Sequence, residues 1–274
     1  MRHPHLTPAL VAIAHGSRDP RAGATIAELL AAARTRAAVR GLAGLDVRGA
    51  FLGHAPPAPL QVLTALAGDG DGERDAVVLP LLLTAAYHSS TDIPGVLAEA
   101  TAGLPGLRIG YGEPLGPHPG LVRALERRLA EAGRDPGGDP SRTAVVLASA
   151  GSSQPTANAA IAAMASGWQA DRGWLAVRPA FASAASPTPA EAVADLLRRG
   201  AGRVVVASYL LAPGLFADRI RESSLAAGAV AVSAPLGAAP EVADVLLDRY
   251  QQAAAGGLGH QAAGQWRDSR VSAR

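Results

Sequence analysis

Short apolar runs alternate with stretches of helical periodicity along the whole chain. Runs of Val, Leu, Ile and Ala without polar interruption, separated by helices, are typical of a parallel sheet that helices cover on both faces. The pattern therefore predicts an α/β fold. In the first half it predicts strands at 10–14, 46–52, 76–83 and 107–112 and helices at 21–40, 58–67, 92–102 and 119–133.

The second half repeats the order of the first. After a segment rich in Gly, Pro and Asp, "AVVLASA" corresponds to "LVAIAH" and "WLAVRPAFASAASPTP" to "LDVRGAFLGHAPPAP". Further on, "RVVVASYLLAPGLFADRI" corresponds to "AVVLPLLLTAAYHSSTDI", and "APLGAAPEVADVLL" to "EPLGPHPGLVRALE". Four landmarks in one order indicate an internal duplication of a unit of roughly 120 residues.

The duplication predicts two similar domains, each with a roughly four-stranded parallel sheet and helices on both faces. We expect the first lobe at 1–133, a linker at 134–142 and the duplicated lobe at 143–255. The last stretch, 256–274, has no apolar periodicity, which predicts a disordered tail.

Composition excludes several classes of site. The chain has 274 residues, 49% of them hydrophobic, and no cysteine. Disulfides, thiolate zinc sites, protein-held iron–sulfur clusters and a cysteine nucleophile are therefore excluded. No apolar run is long enough for a membrane span, and the N-terminus does not resemble a secretory signal. We expect a cytoplasmic protein with no membrane partner.

The charge pattern favours a small anionic ligand over nucleic acid. Every basic side chain is Arg, the net charge is only +2, and aromatic residues make up 4%. No basic run is interleaved with aromatic residues, so the sequence predicts no nucleic-acid partner. Arginine binds carboxylates and phosphates well, which leaves a small polyanion as a ligand.

His15 follows the first predicted strand directly. Ligands of open parallel sheets bind beyond the carboxyl ends of the strands, which is where His15 stands. The amides of Gly16 and Ser17 are candidates for holding an anion at the helix start, and Arg18 for pairing with a carboxylate. The alternative is a structural histidine beside a helix that Asp19 caps.

Two more histidines follow strands of the same half. His88 comes after strand three and His54 after strand two, so both belong to the same edge as His15. In the second half, Ala150 corresponds to His15, Ala184 to His54 and, with a one-residue gap, Phe216 to His88. Structural histidines would survive duplication equally in both halves. The pattern therefore predicts one working site, with His15 and His88 as a metal or proton-transfer pair and His54 as a further candidate.

The remaining histidines are expected to have other roles or none. His118 precedes a proline at a predicted helix start, which favours a capping or turn role. His3, His5 and His260 lie near the chain ends and carry no expected function. Asp92 is expected to cap a helix.

The motifs "HGSRDPRA", "FLGHAPP", "PLLLTAAYHSSTDIP" and "YGEPLGPHP" together resemble those of the sirohydrochlorin chelatases, class II tetrapyrrole chelatases of sirohaem and cobalamin biosynthesis. The resemblance runs from about 8 to 250. It implies two chelatase-like α/β domains facing each other across a cleft, and a functional pair at His15 and His88. Many members also have Glu after the Phe-Leu of strand two, where this chain has Gly53 followed by His54.

This resemblance implies an enzyme that inserts a divalent metal, Co²⁺ or Fe²⁺, into a carboxylate-rich tetrapyrrole. The metal is then a substrate, no permanent cofactor is expected, and one duplicated chain is expected to act as a monomer. Metal handling is assigned to His15, His88 and His54, and substrate contact to Gly16, Ser17 and Arg18. Two alternatives remain open: a non-catalytic metal or tetrapyrrole carrier, and a phosphatase with a histidine nucleophile. The phosphatase is disfavoured because Ala14 stands where such enzymes have Arg.

Overall fold

The computed structural model describes residues 7–69, 73–84, 92–133 and 139–256. The chain forms two compact units. Unit 1 comprises the chain up to Leu115 together with the chain from Ala243 onward, and unit 2 comprises Gly116–Val242.

The strands and helices of unit 1 alternate along the chain, as the hydrophobic pattern predicts. The elements are β1 (Ala9–Ala14), α1 (Pro20–Val39), β2 (Val47–Phe51), α2 (Pro59–Gly68), β3 (Arg74–Pro80), α3 (Asp92–Gly103) and β4 (Leu107–Tyr111). The four strands form a parallel sheet with the order β2-β1-β3-β4.

Both faces of this sheet are covered by helices. Val11 and Ile13 of the central strand are fully buried in one cluster with Leu63 of α2 and Leu97 of α3. On the opposite face, α1 packs so closely on β2 that a Cβ at Gly49 would lie 2.7 Å from the Leu30 side chain. Alternate residues of β1 thus point to opposite cores, which is why the strand reads as an uninterrupted apolar run.

Helix α8 (Pro240–Ala255) completes unit 1 with its residues from Ala243 onward. Leu246, Leu247 and Tyr250 of this helix are almost fully buried. The Arg36 guanidinium of α1 donates to the Asp244 carboxylate, with 2.6 Å between Nε and Oδ1. Arg40 likewise binds Asp248 and the Asp244 carbonyl.

Tyr250 makes the stability of the protein sensitive to alkaline pH. Its hydroxyl donates to the Pro8 carbonyl (2.6 Å), and burial raises the pKa of the phenol to about 12. Because the unfolded chain ionises near pH 10 and the folded chain only near 12, folding is favoured fully below pH 10. That contribution is lost as the pH rises from about 10 to 12.

We expect Tyr250→Phe to flatten the fall of Tm over this interval, measured by thermal unfolding. An unchanged Tm profile would contradict the assignment.

Unit 2 repeats this architecture. The elements are α4 (Pro119–Ala132), a 3₁₀ turn (Pro140–Arg142), β5 (Thr143–Ser149), α5 (Pro155–Arg172), β6 (Ala176–Phe181), α6 (Pro189–Arg198), β7 (Arg203–Tyr209), α7 (Leu215–Ala226) and β8 (Ala231–Val232). The strands form a sheet with the order β6-β5-β7-β8. Helices α6 and α7 share a buried core with one face of this sheet, whereas α4 and α5 contact strands on the other face. Glu126 of α4 accepts from Trp168 and Arg172 of α5 (3.0 and 2.6 Å), which ties these two helices together.

The predicted fold class is confirmed, with two four-stranded parallel sheets in α/β units. Strand β3 ends at Pro80, whereas the sequence predicts its end at 83. Its neighbour β1 ends at Ala14, so the pairing stops after the Leu81 N–H, which donates to the Ile13 carbonyl (2.8 Å).

The sequence repeats and the compact units divide the chain at different places. Helix α4 is the last element of the first sequence repeat but belongs to unit 2. Helix α8 is the last element of the second sequence repeat, but most of it belongs to unit 1.

Within the described ranges, no helix has both the length and the apolar character that a membrane span requires. The predicted tail begins where α8 ends, and residues 257–274 lie outside the described part of the chain. The predicted linker is described only from 139 onward, where the Asp139 carboxylate accepts from the Ser141 N–H (2.9 Å).

Candidate metal-handling site

Strands β1 and β2 bring His15 and His54 together at the carboxyl edge of unit 1. His15 follows the last residue of β1, and His54 lies three residues beyond the end of β2. Their ring centres are 6.4 Å apart, with the ring planes at 82°. Both side chains are exposed. The two exposed imidazole rings therefore lie next to each other at this edge of the sheet.

The backbone holds the two histidines in register. The Leu52 N–H donates to the Ala14 carbonyl (3.0 Å) and the Gly53 N–H to the His15 carbonyl (3.1 Å), which continues the strand pairing by two residues. His54 then turns into the left-handed region with φ 65°, which is uncommon for a residue with a side chain. We call residues 14–17 and 51–57 the site corner.

The glycines of the site corner differ in what they tolerate. Gly16 has φ +89°, and a Cβ on it would lie 1.8 Å from the Gly53 carbonyl oxygen. A Cβ on Gly53 itself would meet no atom within 4 Å. The Glu that the motif resemblance implies at this position would therefore find room for its Cβ on the backbone of this chain.

We expect Gly53→Glu to fold normally and Gly16→Ala to be destabilised. The first change adds a side chain in open space, so Tm should stay within about 2 °C of the parent. The second forces a backbone shift and a strained φ, with an expected cost of about 2 kcal/mol or more. Thermal unfolding of the two variants side by side checks this. Equal Tm values would show that the close approach of Gly16 to Gly53 is not required.

Unit 2 contains a copy of this corner without its histidines. The Ala182 N–H donates to the Ser149 carbonyl and the Ser183 N–H to the Ala150 carbonyl (both 2.9 Å), as in the site corner. Gly151 has φ +84°, and Ala184, at the position of His54, keeps φ 60°. The predicted equivalence of His15 with Ala150 and of His54 with Ala184 thus agrees with the backbone. We call residues 149–152 and 181–187 the copied corner.

The residues between the site corner and α1 form the cap of that helix. The Ser17 hydroxyl accepts from the Asp19 N–H (3.0 Å), and the Asp19 carboxylate accepts from the Arg21 N–H (2.9 Å) and side chain. The hydrogen bond from the Arg21 side chain lowers the pKa of Asp19. Asp19 is therefore the helix cap that the sequence predicts, with Pro20 as the first helical residue. Arg18 is exposed beside them.

His118 is a capping residue, as the sequence predicts. It stands before the first residue of α4, and its Nδ1 accepts from the Gly120 N–H (3.0 Å). This residue belongs to unit 2, whereas His15 and His54 belong to unit 1.

Two further predicted residues lie after β3 in the chain. Asp92 lies in the first turn of α3. His88 falls in the segment 85–91, outside the described residues, so its membership of the site remains a prediction.

The described residues of the site corner include two candidate metal ligands, His15 and His54, which is fewer than a complete ligand set. No group of three or more His, Cys, Asp or Glu side chains close enough to hold a metal occurs in the described ranges. A divalent metal lies about 2.1 Å from an imidazole nitrogen and about 3.2 Å from the ring centre. At the observed 6.4 Å between ring centres, a shared ion would have to lie on the straight line between the two rings. Tetrahedral coordination by both histidines requires the ring centres to approach to about 5.2 Å.

The sequence also matches a known family over nearly its whole length. The family model CbiX matches twice, at residues 9–132 and 144–253. The chain belongs to the CbiX family. The two matches coincide with the two sequence repeats, so the internal duplication is a doubling of one CbiX unit.

Known relatives of this CbiX chain include metal chelatases. It is 31% identical over 151 residues to a sirohydrochlorin cobaltochelatase of Priestia megaterium, a match that covers 55% of this chain and 49% of that enzyme. It is 29% identical over 192 residues to a sirohydrochlorin ferrochelatase of Bacillus subtilis, covering 69% and 72%. The chain thus spans about half the length of the first relative and nearly three quarters of the second.

A solved CbiX-like structure has the same fold. SirB from Bacillus subtilis with Fe³⁺ aligns with a TM-score of 0.76 and 25% identity, covering 93% of this chain and all of that one. The resemblance deduced from the motifs is therefore confirmed at the level of the family and the fold.

Two features of the carboxyl edges were not predicted from the sequence, one in unit 1 and one in unit 2. The left-handed conformation of His54 leaves no local signal in the sequence, since neither His54 nor its equivalent Ala184 is a glycine. The exposed apolar pair at the start of α7, Leu215 and Phe216, was visible in the sequence only as the replacement of a histidine.

Proposed function

We propose that this protein inserts a divalent metal ion, Co²⁺ or Fe²⁺, into sirohydrochlorin or a closely related carboxylate-rich tetrapyrrole. In this proposal His15 and His54 of the site corner take up the metal together with His88, and one chain is sufficient. The names of the relatives, a cobaltochelatase and a ferrochelatase, support both metals.

The observation that carries the proposal is the difference between the two corners. The same backbone, including the left-handed residue, is present in both units, but only unit 1 has imidazoles on it. A structural need for histidine would have retained it in the copied corner. The side chains of His15 and His54 are therefore best explained by chemistry at the exposed edge.

Metal insertion requires what a pair of imidazoles supplies. The incoming ion must lose water and form bonds to four ring nitrogens, while the two pyrrole N–H protons leave the macrocycle. Neutral imidazole binds first-row divalent ions through its ring nitrogen, and free imidazole, with a pKa of about 6.5, also accepts a proton near neutral pH. Two or three histidines without a closed ligand set suit a metal that must be released again.

Substrate carboxylates are expected to contact the residues next to His15. Arg18 is exposed directly after the Gly16–Ser17 turn, and its guanidinium is suited to a bidentate contact with a carboxylate. The Asp19 carboxylate already occupies the start of α1. For this reason we assign the anion contact to Arg18 first, and to the amides of Gly16 and Ser17 second.

Anaerobic absorbance spectroscopy tests the proposed function. Metal insertion changes the spectrum of sirohydrochlorin, so the rate with Co²⁺ or Fe²⁺ is compared with and without the protein. We expect a clear acceleration over the uncatalysed reaction. Tight binding of sirohydrochlorin with no acceleration by either metal would contradict the enzyme and favour a carrier.

A further inference from the structure

A groove of about 890 Å³ lies between α4 and α5 in unit 2. It is lined by residues from 117 to 123, at the start of α4, and from 160 to 172 of α5, all of which belong to this unit. Small-molecule sites in proteins measure about 300–1,000 Å³ and combine apolar walls with a few polar groups. The size and the mostly apolar lining of this α4–α5 groove therefore match those of a ligand site.

Small residues of α5 leave this space open. Ala160, Ala163 and Gly167 line the groove and are spaced three and four residues apart, so they lie on one face of the helix. A Cβ on Gly167 would meet no atom within 4 Å. Met164 of α5 and Val122 of α4 add larger apolar side chains to the lining, and both are only partly buried. The groove can therefore hold a flat apolar body between the two helices.

The charged side chains of the lining are two arginines and one aspartate. Arg172 is already paired with Glu126, with 2.6 Å between Nε and Oε1. The hydrogen bonds to Glu126, and to a smaller extent the charge of Asp171, raise the pKa of Arg172. Arg123 is exposed and makes no hydrogen bond or ion pair with any residue in the described ranges. The cation that the lining offers to a ligand is therefore Arg123.

We infer that the α4–α5 groove binds a small amphipathic anion, whose apolar body packs against Val122 and Met164 and whose anionic head reaches Arg123. A carboxylate suits this guanidinium, because the two groups form parallel charge-assisted hydrogen bonds. The groove lies within unit 2, whereas the site corner lies in unit 1. Binding in the groove is thus a property separate from the proposed metal insertion.

The methyl group of Met164 reports on this groove. The chain has only two methionines, Met1 and Met164, so isotope labelling of their methyl groups gives two NMR signals, and Met164→Leu identifies the second. The full chain is titrated with naphthoate and with naphthamide, which share one flat body and differ in charge. We expect naphthoate to shift the Met164 signal with a Kd of about 1 mM or lower, as is typical for a ligand of this size. Naphthamide should bind about threefold more weakly, as for the loss of one exposed charge pair.

Two variants test the position of the ligand. Gly167→Leu fills the groove and should raise Kd for both probes about tenfold or more, because apolar contact with the ligand is lost. Arg123→Gln should give naphthoate the same Kd as naphthamide. The matched control is Gly95→Leu, the same change at an exposed glycine of α3 where a Cβ also meets no atom within 4 Å. It should leave both Kd values unchanged.

Each part of the inference has an outcome that overturns it. No shift of the Met164 signal with naphthoate would overturn the site, and equal Kd values for the two probes would overturn its anionic ligand. A wild-type Kd in Gly167→Leu, with normal circular dichroism, would overturn its location in the groove. None of these measurements involves metal insertion, so failure of the proposed function would leave them unaffected.

Discussion

His15→Ala is expected to lower kcat/KM for metal insertion by about 10²- to 10⁴-fold, the range typical for loss of a group that transfers a proton or delivers a ligand. His54→Ala should lower it as well, because the 6.4 Å pair loses one of its two rings. Both variants should fold normally. Ala150 and Ala184 already occupy the equivalent positions on the same backbone, and Ala184 adopts the same left-handed conformation.

The matched control for these variants is His118→Asn. It also removes an imidazole, but asparagine preserves a cap for α4. We expect its insertion rate to equal that of the wild type, measured by the same anaerobic absorbance assay. Full activity of His15→Ala would contradict the role of the site corner, and equal losses in all three variants would indicate a general effect of removing histidine.

Truncation after Val242 is expected to abolish the folding of unit 1. The lost part of α8 includes Val245, Leu246, Leu247 and Tyr250, each at most 1% exposed. At about 1.5–3 kcal/mol for each buried side chain, their removal costs as much as the whole stability of a typical domain, about 5–15 kcal/mol. It also leaves the α1 arginines without Asp244 and Asp248.

Hydrogen exchange of the truncated chain measures this directly. We expect amides of β1 and β3 to lose their protection, while those of β5 and β7 in unit 2 keep theirs. The control is a chain that ends after Gly256, which retains all of α8 and should behave as the full chain. Leu247→Ala is a milder test, with an expected loss of about 2–5 kcal/mol. Unchanged protection of β1 after truncation would show that unit 1 does not need α8.

The sequence was sufficient to predict the elements and the place of His15. Short uninterrupted apolar runs such as Ala9–Ala14, alternating with helical patterns along the chain, are typical of parallel strands buried on both faces, which is why the pattern predicts the two sheets. The carboxyl edge follows in turn from the parallel arrangement, and His15 and His54 are both there. The capping roles of Asp19 and His118 were also readable, because capping depends on local order along the chain.

Features that depend on tertiary contacts were not readable from the sequence. Nothing in α8 itself indicates that its residues from Ala243 belong to unit 1, because an amphipathic helix fits either of two similar sheets. The left-handed conformation of His54 is imposed by the turn between β2 and α2 rather than by histidine, as Ala184 shows. The exposure of Leu215 and Phe216 likewise depends on what packs around the start of α7.

The most direct test of the central claim is X-ray absorption at the cobalt edge on the full chain loaded with Co²⁺. We expect scattering from two or three imidazole rings in the wild type, and from at most one ring, that of His88, in the His15→Ala/His54→Ala double variant. An imidazole signal of equal strength in the double variant would show that the metal is held elsewhere, and would contradict the assignment of metal handling to the site corner.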